Sequence, residues 1–135
     1  VPTYTPPPDA AGGRLRLLTP KHHGRFLNSG YAHLPKHGPA ERGPFVELDP
    51  TDADARGLAD GDDAIVGNER GELRVPVRIS DRLRPGVAAV PYGWWHAHHE
   101  DLGGQGVANS LTDDTLTDWG GGVAFSDTLV TVRPA

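Results

Sequence analysis

Residues 64–79 read AIVGNERGELRVPVRI, and no helical period fits them. From Glu72 onward apolar and polar residues alternate: Leu73, Val75, Val77 and Ile79 fall on one face, and Glu72, Arg74 and Arg78 on the other. That period of two belongs to a half-buried strand. AIVGN supplies a second strand, and ERG between them predicts a hairpin. Pro76 shares the outer face and has no amide to give, which predicts a bulge or a sheet edge at that point.

The same signals recur outward from the hairpin. Upstream, FVEL (45–48) reads as a strand. DPTDADARGL (49–58) reads as a short helix with Thr51 as N-cap, Asp52 and Asp54 in its first turn, and Gly57 and ADGDD closing it. RLRLLT (14–19) alternates Leu15 and Leu17 with Arg14 and Arg16. Downstream, RLRPGVAAVPYG (82–93) gives a turn at Pro85 and Gly86 and then a strand, and TLVTVRP (128–134) gives the last strand. About six short strands, one short helix and no long helical pattern predict an all-β barrel or sandwich. Eighteen glycines and 13 prolines exceed average usage, but the apolar alternation assigns them to bends and not to low complexity.

At 135 residues and 14.4 kDa the chain fits one domain with a true core. Residues 1–13, with PPP and AAGG, read as an extended, flexible linker arm, leaving 14–134 as the barrel domain. The proline-rich start without Met gives the expectation of a piece of a longer polypeptide. There is no cysteine, which excludes disulfides, thiolate metal sites and cysteine nucleophiles. No apolar run approaches the length of a membrane-spanning helix, and the first residues lack the pattern of a signal peptide. The compartment stays undecided, with the cytoplasm as the working expectation. A formal charge of -5 argues against nucleic acid as a partner. Yet no acid lies between Asp9 and Glu41, a stretch that holds Arg14, Arg16, Lys21, Arg25 and Lys36 and four histidines. Such a sector either seats a small anion such as a phosphate or reflects charge segregation alone.

Three loops carry the candidate chemistry. TPKHHGRFLNSGY (19–31) offers Lys21 and Arg25 for phosphate oxygens, His22 and His23 for donation or stacking, and Asn28 and Ser29 for the polar edges of a base or pterin. PYGWWHAHHEDLGG (91–104) holds two of the three tryptophans and three of the seven histidines. Trp94 and Trp95 suit stacking on a flat heterocycle or burial of one of them. The histidine spacing matches no metal-ligand signature, so no metal is assigned to it. GGQGVANSLTDD (103–114) brings glycines for close backbone approach, and Asn109, Ser110 and Thr112, which fit either a ligand or a self-capped turn. Asp113 and Asp114 follow no EF-hand pattern and are assigned to turn structure. Serines lie in no nucleophile motif and no phosphate-binding glycine loop is present, so no residue is assigned a catalytic role.

In order along the chain stand LNS after the first strand, a DPxDAxxxGLxDGD block, an NxRG hairpin, an RPGV turn and a VANSLT loop. That series, over about residues 14–133, resembles the C-terminal molybdopterin-dinucleotide-binding domain of the dimethyl sulfoxide reductase and formate dehydrogenase superfamily of molybdenum and tungsten oxidoreductases. The resemblance implies an all-β fold with one or two short helices, a six-stranded double-psi β-barrel like that of aspartate decarboxylase. It implies binding of molybdopterin guanine dinucleotide, in the bis form in a full-length parent, with molybdenum or tungsten held outside this domain. Upstream catalytic domains of the same polypeptide would be its partners, with electron-transfer subunits reached through the parent. By the same analogy Thr19, Lys21, His22, His23, Asn28 and Ser29, then Trp94, Trp95 and His96, then Asn109 and Thr112 approach the cofactor. Gly57, Gly61 and Asp62 shape the barrel. The three loops must then share one end of the barrel, whereas the alternative, a protein- or peptide-recognition module on the same barrel, requires an exposed apolar surface instead.

Overall fold

A computed structural model describes residues 3, 4, 6–21, 43–94, 107–117 and 119–135. Six strands form a closed barrel: β1 (Leu15–Leu18), β2 (Val46–Leu48), β3 (Asp63–Asn68), β4 (Gly71–Ile79), β5 (Val87–Ala89) and β6 (Leu129–Pro134), in the order β1-β5-β2-β4-β3-β6. Two pairs, β1 with β5 and β2 with β4, are parallel, and the remaining neighbours are antiparallel. This is the mixed six-stranded double-psi β-barrel, with one short helix, α1 (Pro50–Asp54), and two 3-10 turns, Ala108–Ser110 and Phe125–Asp127.

The alternation in β4 is real: Leu73, Val75 and Val77 are buried while Glu72, Arg74, Pro76 and Arg78 are exposed. They meet Leu15, Leu17, Val46, Leu48, Val66 and Val130 in one central cluster. The edge predicted at Pro76 is corrected, because β4 is flanked by β3 on one side and β2 on the other. Val77 donates to the Asp62 carbonyl at 2.8 Å and accepts from Gly61 at 2.9 Å, on the β3 side. The Pro76 nitrogen therefore faces β2, whose pairing with β4 begins only at Val77. A missing amide costs no ladder bond there.

The segment between β2 and β3 forms the predicted helix with a different cap. Asp49, not Thr51, is the N-cap: its carboxylate accepts the Thr51 amide at 2.8 Å, and Pro50 occupies the first turn, where an amide is not needed. Gly57 adopts φ 65° and Gly61 φ 89°, and Asp62 accepts the Ala59 amide at 2.8 Å, so this block turns the chain into β3. Asp52 reaches further, accepting the Gly86 amide at 2.6 Å and pairing with Arg56 at 3.1 Å. It joins the helix to the turn that starts β5.

Arg16 and Arg56 tie the residues before β1 to the barrel, and Arg14 braces them from within. Arg14 donates to the Asp9 and Ala11 carbonyls, Arg16 to that of Pro8, and Arg56 to that of Gly13. Among the described residues no helix is long and apolar enough to cross a membrane.

Candidate functional site

Parallel pairing of β1 and β5 brings two of the three loops together. Parallel neighbours end on the same side of a barrel, and here the pairing runs past both strands: Val90 donates to the Leu18 carbonyl at 2.9 Å and Tyr92 to that of Pro20 at 3.3 Å. The chain leaving β1 at Thr19 and the chain leaving β5 at Tyr92 thus depart side by side.

The third loop is rooted in the barrel by Leu111, which is 0% exposed. The tip of the β3–β4 hairpin grips it from outside. Asn68 donates through its side-chain amide to the Leu111 carbonyl at 2.8 Å and to the Leu129 carbonyl at 3.3 Å, while its oxygen accepts the Arg70 amide at 2.9 Å. The Arg70 guanidinium pairs with Asp113 and, at 3.8 Å, with Asp114. Gly71 lets the two segments touch, since a Cβ there would stand 3.3 Å from the Ser110 carbonyl oxygen. Asp113 also accepts the Thr115 amide at 3.0 Å. That amide first and then the Thr115 side chain hold its carboxyl below the usual aspartate range; desolvation opposes them, and the Asp114 amide and Arg70 add smaller lowering effects. Both aspartates thus serve the turn.

Together these segments line one cleft of about 530 Å³ with Thr19, Tyr92, Asn109 and Thr112 in its wall. Val123 and Phe125 form an apolar side, and Asp113 and Asp114 an acidic rim. Thr19 is half-buried and Asn109 exposed, its side-chain amide bonded to no described residue. The Thr112 hydroxyl donates to the Asn109 carbonyl at 3.3 Å, so Thr112 shapes the turn as well as facing the cleft.

Other predicted positions are placed differently. Lys21 is exposed and lines a separate depression on the barrel wall. Trp94 is buried, the tryptophan of the pair that goes inside. His22, His23, Asn28, Ser29, Trp95 and His96 lie outside the described residues, as do LNS, HHGR and HAHH. Among the described residues no group of three or more His, Cys, Asp or Glu is arranged to hold a metal ion. Sequence reasoning missed Tyr92, Val123 and Phe125 as cleft residues and Asn68 and Arg70 as the grip on the loop. The NxRG motif was the available signal for the last two, but it names no partner.

Comparison with known proteins agrees with this architecture. Residues 15–129 match the family described as "Molydopterin dinucleotide binding domain". Over 126 residues, 93% of the chain, it is 33% identical to "Probable oxidoreductase YoaE" of Bacillus subtilis (strain 168), of which it covers 18%. It is 40% identical over 90 residues, 67% of its length, to "Putative dimethyl sulfoxide reductase chain YnfE" of Escherichia coli (strain K12), of which it covers 9%. The chain thus spans less than a fifth of the length of these relatives. In three dimensions it is similar to acetylene hydratase from Pelobacter acetylenicus, with TM-score 0.79 and 20% identity over 93% of this chain and 19% of that one. That likeness shows the fold. With the ordered motifs, the closed barrel and the family match over most of its length, the chain belongs to the molybdopterin dinucleotide binding domain family, in the superfamily of dimethyl sulfoxide reductase and formate dehydrogenase.

Proposed function

We propose that this domain binds and orients molybdopterin guanine dinucleotide as one part of a larger molybdenum- or tungsten-dependent oxidoreductase, and that it catalyses nothing alone. The observation that carries the reading is the convergence of Thr19, Tyr92, Asn109 and Thr112, from three separate loops, on one cleft. Their chemistry fits the heterocyclic parts of such a ligand. An Asn side chain offers both a donor and an acceptor to the edge of a pterin or guanine, and a threonine hydroxyl does the same at one atom. Phe125 and Val123 give a flat ring an apolar wall. The acidic rim suits amine and hydroxyl donors and repels phosphate.

When bound, the cofactor supplies dithiolene sulfurs to a metal that other domains enclose, and with them the redox chemistry. This chain's residues hold and orient: Asn109 and Thr19 by hydrogen bonds, Thr112 by fixing the Asn109 carbonyl, and Tyr92 and Phe125 by contact. Upstream domains of the same polypeptide complete the enclosure, and electron-transfer subunits are reached through them.

Titration of the isotope-labelled chain with guanosine and with a soluble pterin, followed by NMR, tests the reading. Amide shifts are expected at Thr19, Tyr92, Asn109 and Thr112, with Asn109→Ala weakening the interaction about tenfold. Millimolar ligand that leaves all four signals unmoved overturns it. A recognition module is the second reading, favoured by the exposed Leu116, Trp119, Val123 and Phe125, of which Trp119 is 80% exposed. That module would bind an apolar peptide through these four side chains and ignore both small ligands.

A further inference from the structure

Pro6, Pro7 and Pro8 have no amide to donate, so this part of the arm is held only through its carbonyls and its rings. Arg16 on β1 supplies the donor. One guanidinium nitrogen donates to the Pro8 carbonyl at 3.0 Å and another to the Asp127 carboxylate at 3.4 Å, so a single planar group spans the arm and the turn Phe125–Asp127. Among the described residues, the other hydrogen bond that holds the arm to the barrel runs from Arg56 to the Gly13 carbonyl, at 2.8 Å.

That turn belongs to the cleft. Residues 115–124 fold back on themselves, with Ala124 donating to the Thr115 carbonyl at 2.8 Å, Thr117 to that of Gly122 at 2.8 Å, and Leu116 opposite Val123. This short hairpin serves two depressions. Leu116, Thr117 and Ala124 border a hollow of about 600 Å³ together with Tyr4 and the three prolines. Val123 and the neighbouring Phe125 form the apolar side of the cleft at Asn109, and Asp113 borders both spaces. The buried Thr128 closes the circuit: its hydroxyl donates to the Phe125 carbonyl at 2.9 Å and accepts the Asp113 amide at 3.2 Å. An unbroken series of contacts thus runs from Pro8 through Arg16, Asp127 and Phe125 to Thr128 and the loop that carries Asn109 and Thr112.

The two ends of this series are held with different firmness. Leu111 and Thr128 are buried, whereas Tyr4 and the three prolines are exposed. A segment with few buried contacts and few hydrogen bonds opens more readily than the barrel beneath it. Its polyproline character keeps the ordering cost of seating it low. We infer that residues 3, 4 and 6–9 form a strap that regulates the cleft. Seated on the 115–124 hairpin, they hold the Phe125 wall in its binding position through Arg16; unseated, they release it. Arg16 is a positioning residue for the cleft. The coupling is a property of this chain, while its use in retaining a cofactor rests on the proposed cofactor reading.

The test uses the 135-residue chain, guanosine and a soluble pterin. The chain has no cysteine, so Thr3→Cys carries a single nitroxide, and broadening of the Thr115, Thr117 and Ala124 amides reads the seating of the arm. Two variants release the strap by different routes: Arg16→Gln removes the tie, and Pro6→Gly/Pro7→Gly/Pro8→Gly loosens the arm without touching the barrel. Each should reduce the broadening, shift the Phe125 and Asn109 amides and weaken guanosine or pterin binding about fivefold. Arg74→Gln, which removes a charge paired with Asp63, should do none of these. Coupling is reciprocal, so saturating ligand should increase the broadening in the parent chain, an effect that a merely structural tie does not give. Circular dichroism reports whether the barrel persists, and if Arg16→Gln unfolds, the proline variant decides. A parent chain without broadening, or broadening that persists unchanged in both variants, overturns the strap. So does an arm whose release leaves the Phe125 and Asn109 signals and the ligand affinity unchanged, and in that case the cofactor reading stands. Should neither ligand bind, the cofactor reading falls and the Phe125 and Asn109 amides decide the strap alone: moved in the proline variant, it stands; unmoved, it fails.

Discussion

The side-chain amide of Asn68 lies 2.8 Å from the carbonyl oxygen of Leu111, binding the tip of one hairpin to a loop 43 residues away in sequence. That single side chain also holds the Leu129 carbonyl and the Arg70 amide, so three main-chain groups depend on it. Asn68→Ala should destabilise the domain by about 1–3 kcal/mol, the cost of leaving half-buried polar groups without partners. Chemical denaturation reads this as a lower midpoint with an unchanged slope. Amide exchange should accelerate at Ala108–Ser110 before it does in the strands.

Leu111 roots the same loop in the core from within. Leu111→Ala removes a wholly buried side chain and should cost about 2–5 kcal/mol, by lost burial and the cavity left behind. A loss below 1 kcal/mol by thermal unfolding would mean that the loop is merely draped over the barrel.

Asp113 gives the loop a dependence on acidity. Its folded carboxyl titrates below the ordinary aspartate value, so its contribution is fully present above that ordinary value and disappears as pH falls through the lower folded one. At mildly acidic pH the contacts with Thr115 and Arg70 should therefore persist. A carbon-detected NMR titration of the Asp113 carboxyl should show the depressed midpoint, and in Asp113→Asn the loop amides should lose that transition.

Gly61 stands at φ 89° where its amide meets the Val77 carbonyl at 2.9 Å. Gly61→Ala forces a side chain into left-handed backbone and should cost about 1–2 kcal/mol, seen as a lowered melting temperature, although nothing lies within 4 Å of the added carbon.

Strands were readable wherever one face meets the core and the other meets water. The alternation from Glu72 to Ile79 is a local property, and burial enforces it residue by residue. Closure was less readable. Pro76 carries the composition of an edge, and only the point at which β2 begins to pair shows why an inner strand tolerates it. The helix cap was misplaced by two residues because Asp49 and Thr51 both have capping side chains, and Pro50 between them settles which amide is free to be capped. In the site, Thr19, Asn109 and Thr112 were visible as short polar residues in loops, and their meeting follows from the parallel exit of β1 and β5 and from the grip of the hairpin. Tyr92 looked like the end of a strand, and Phe125 falls between the third loop and the last strand, in no predicted element. Lys21 shows the limit most plainly. Two residues from Thr19, it faces another depression, because a chain leaving a twisted strand turns successive side chains in different directions.

Because each of the six described strands has a partner on both sides, the ring they form offers no unpaired ladder that another chain can extend. Recognition by strand addition, a common route by which β domains take up peptides or stack into aggregates, is thereby closed to these six strands. Whatever the ring of strands holds, it must hold with side chains and with the loops that leave it.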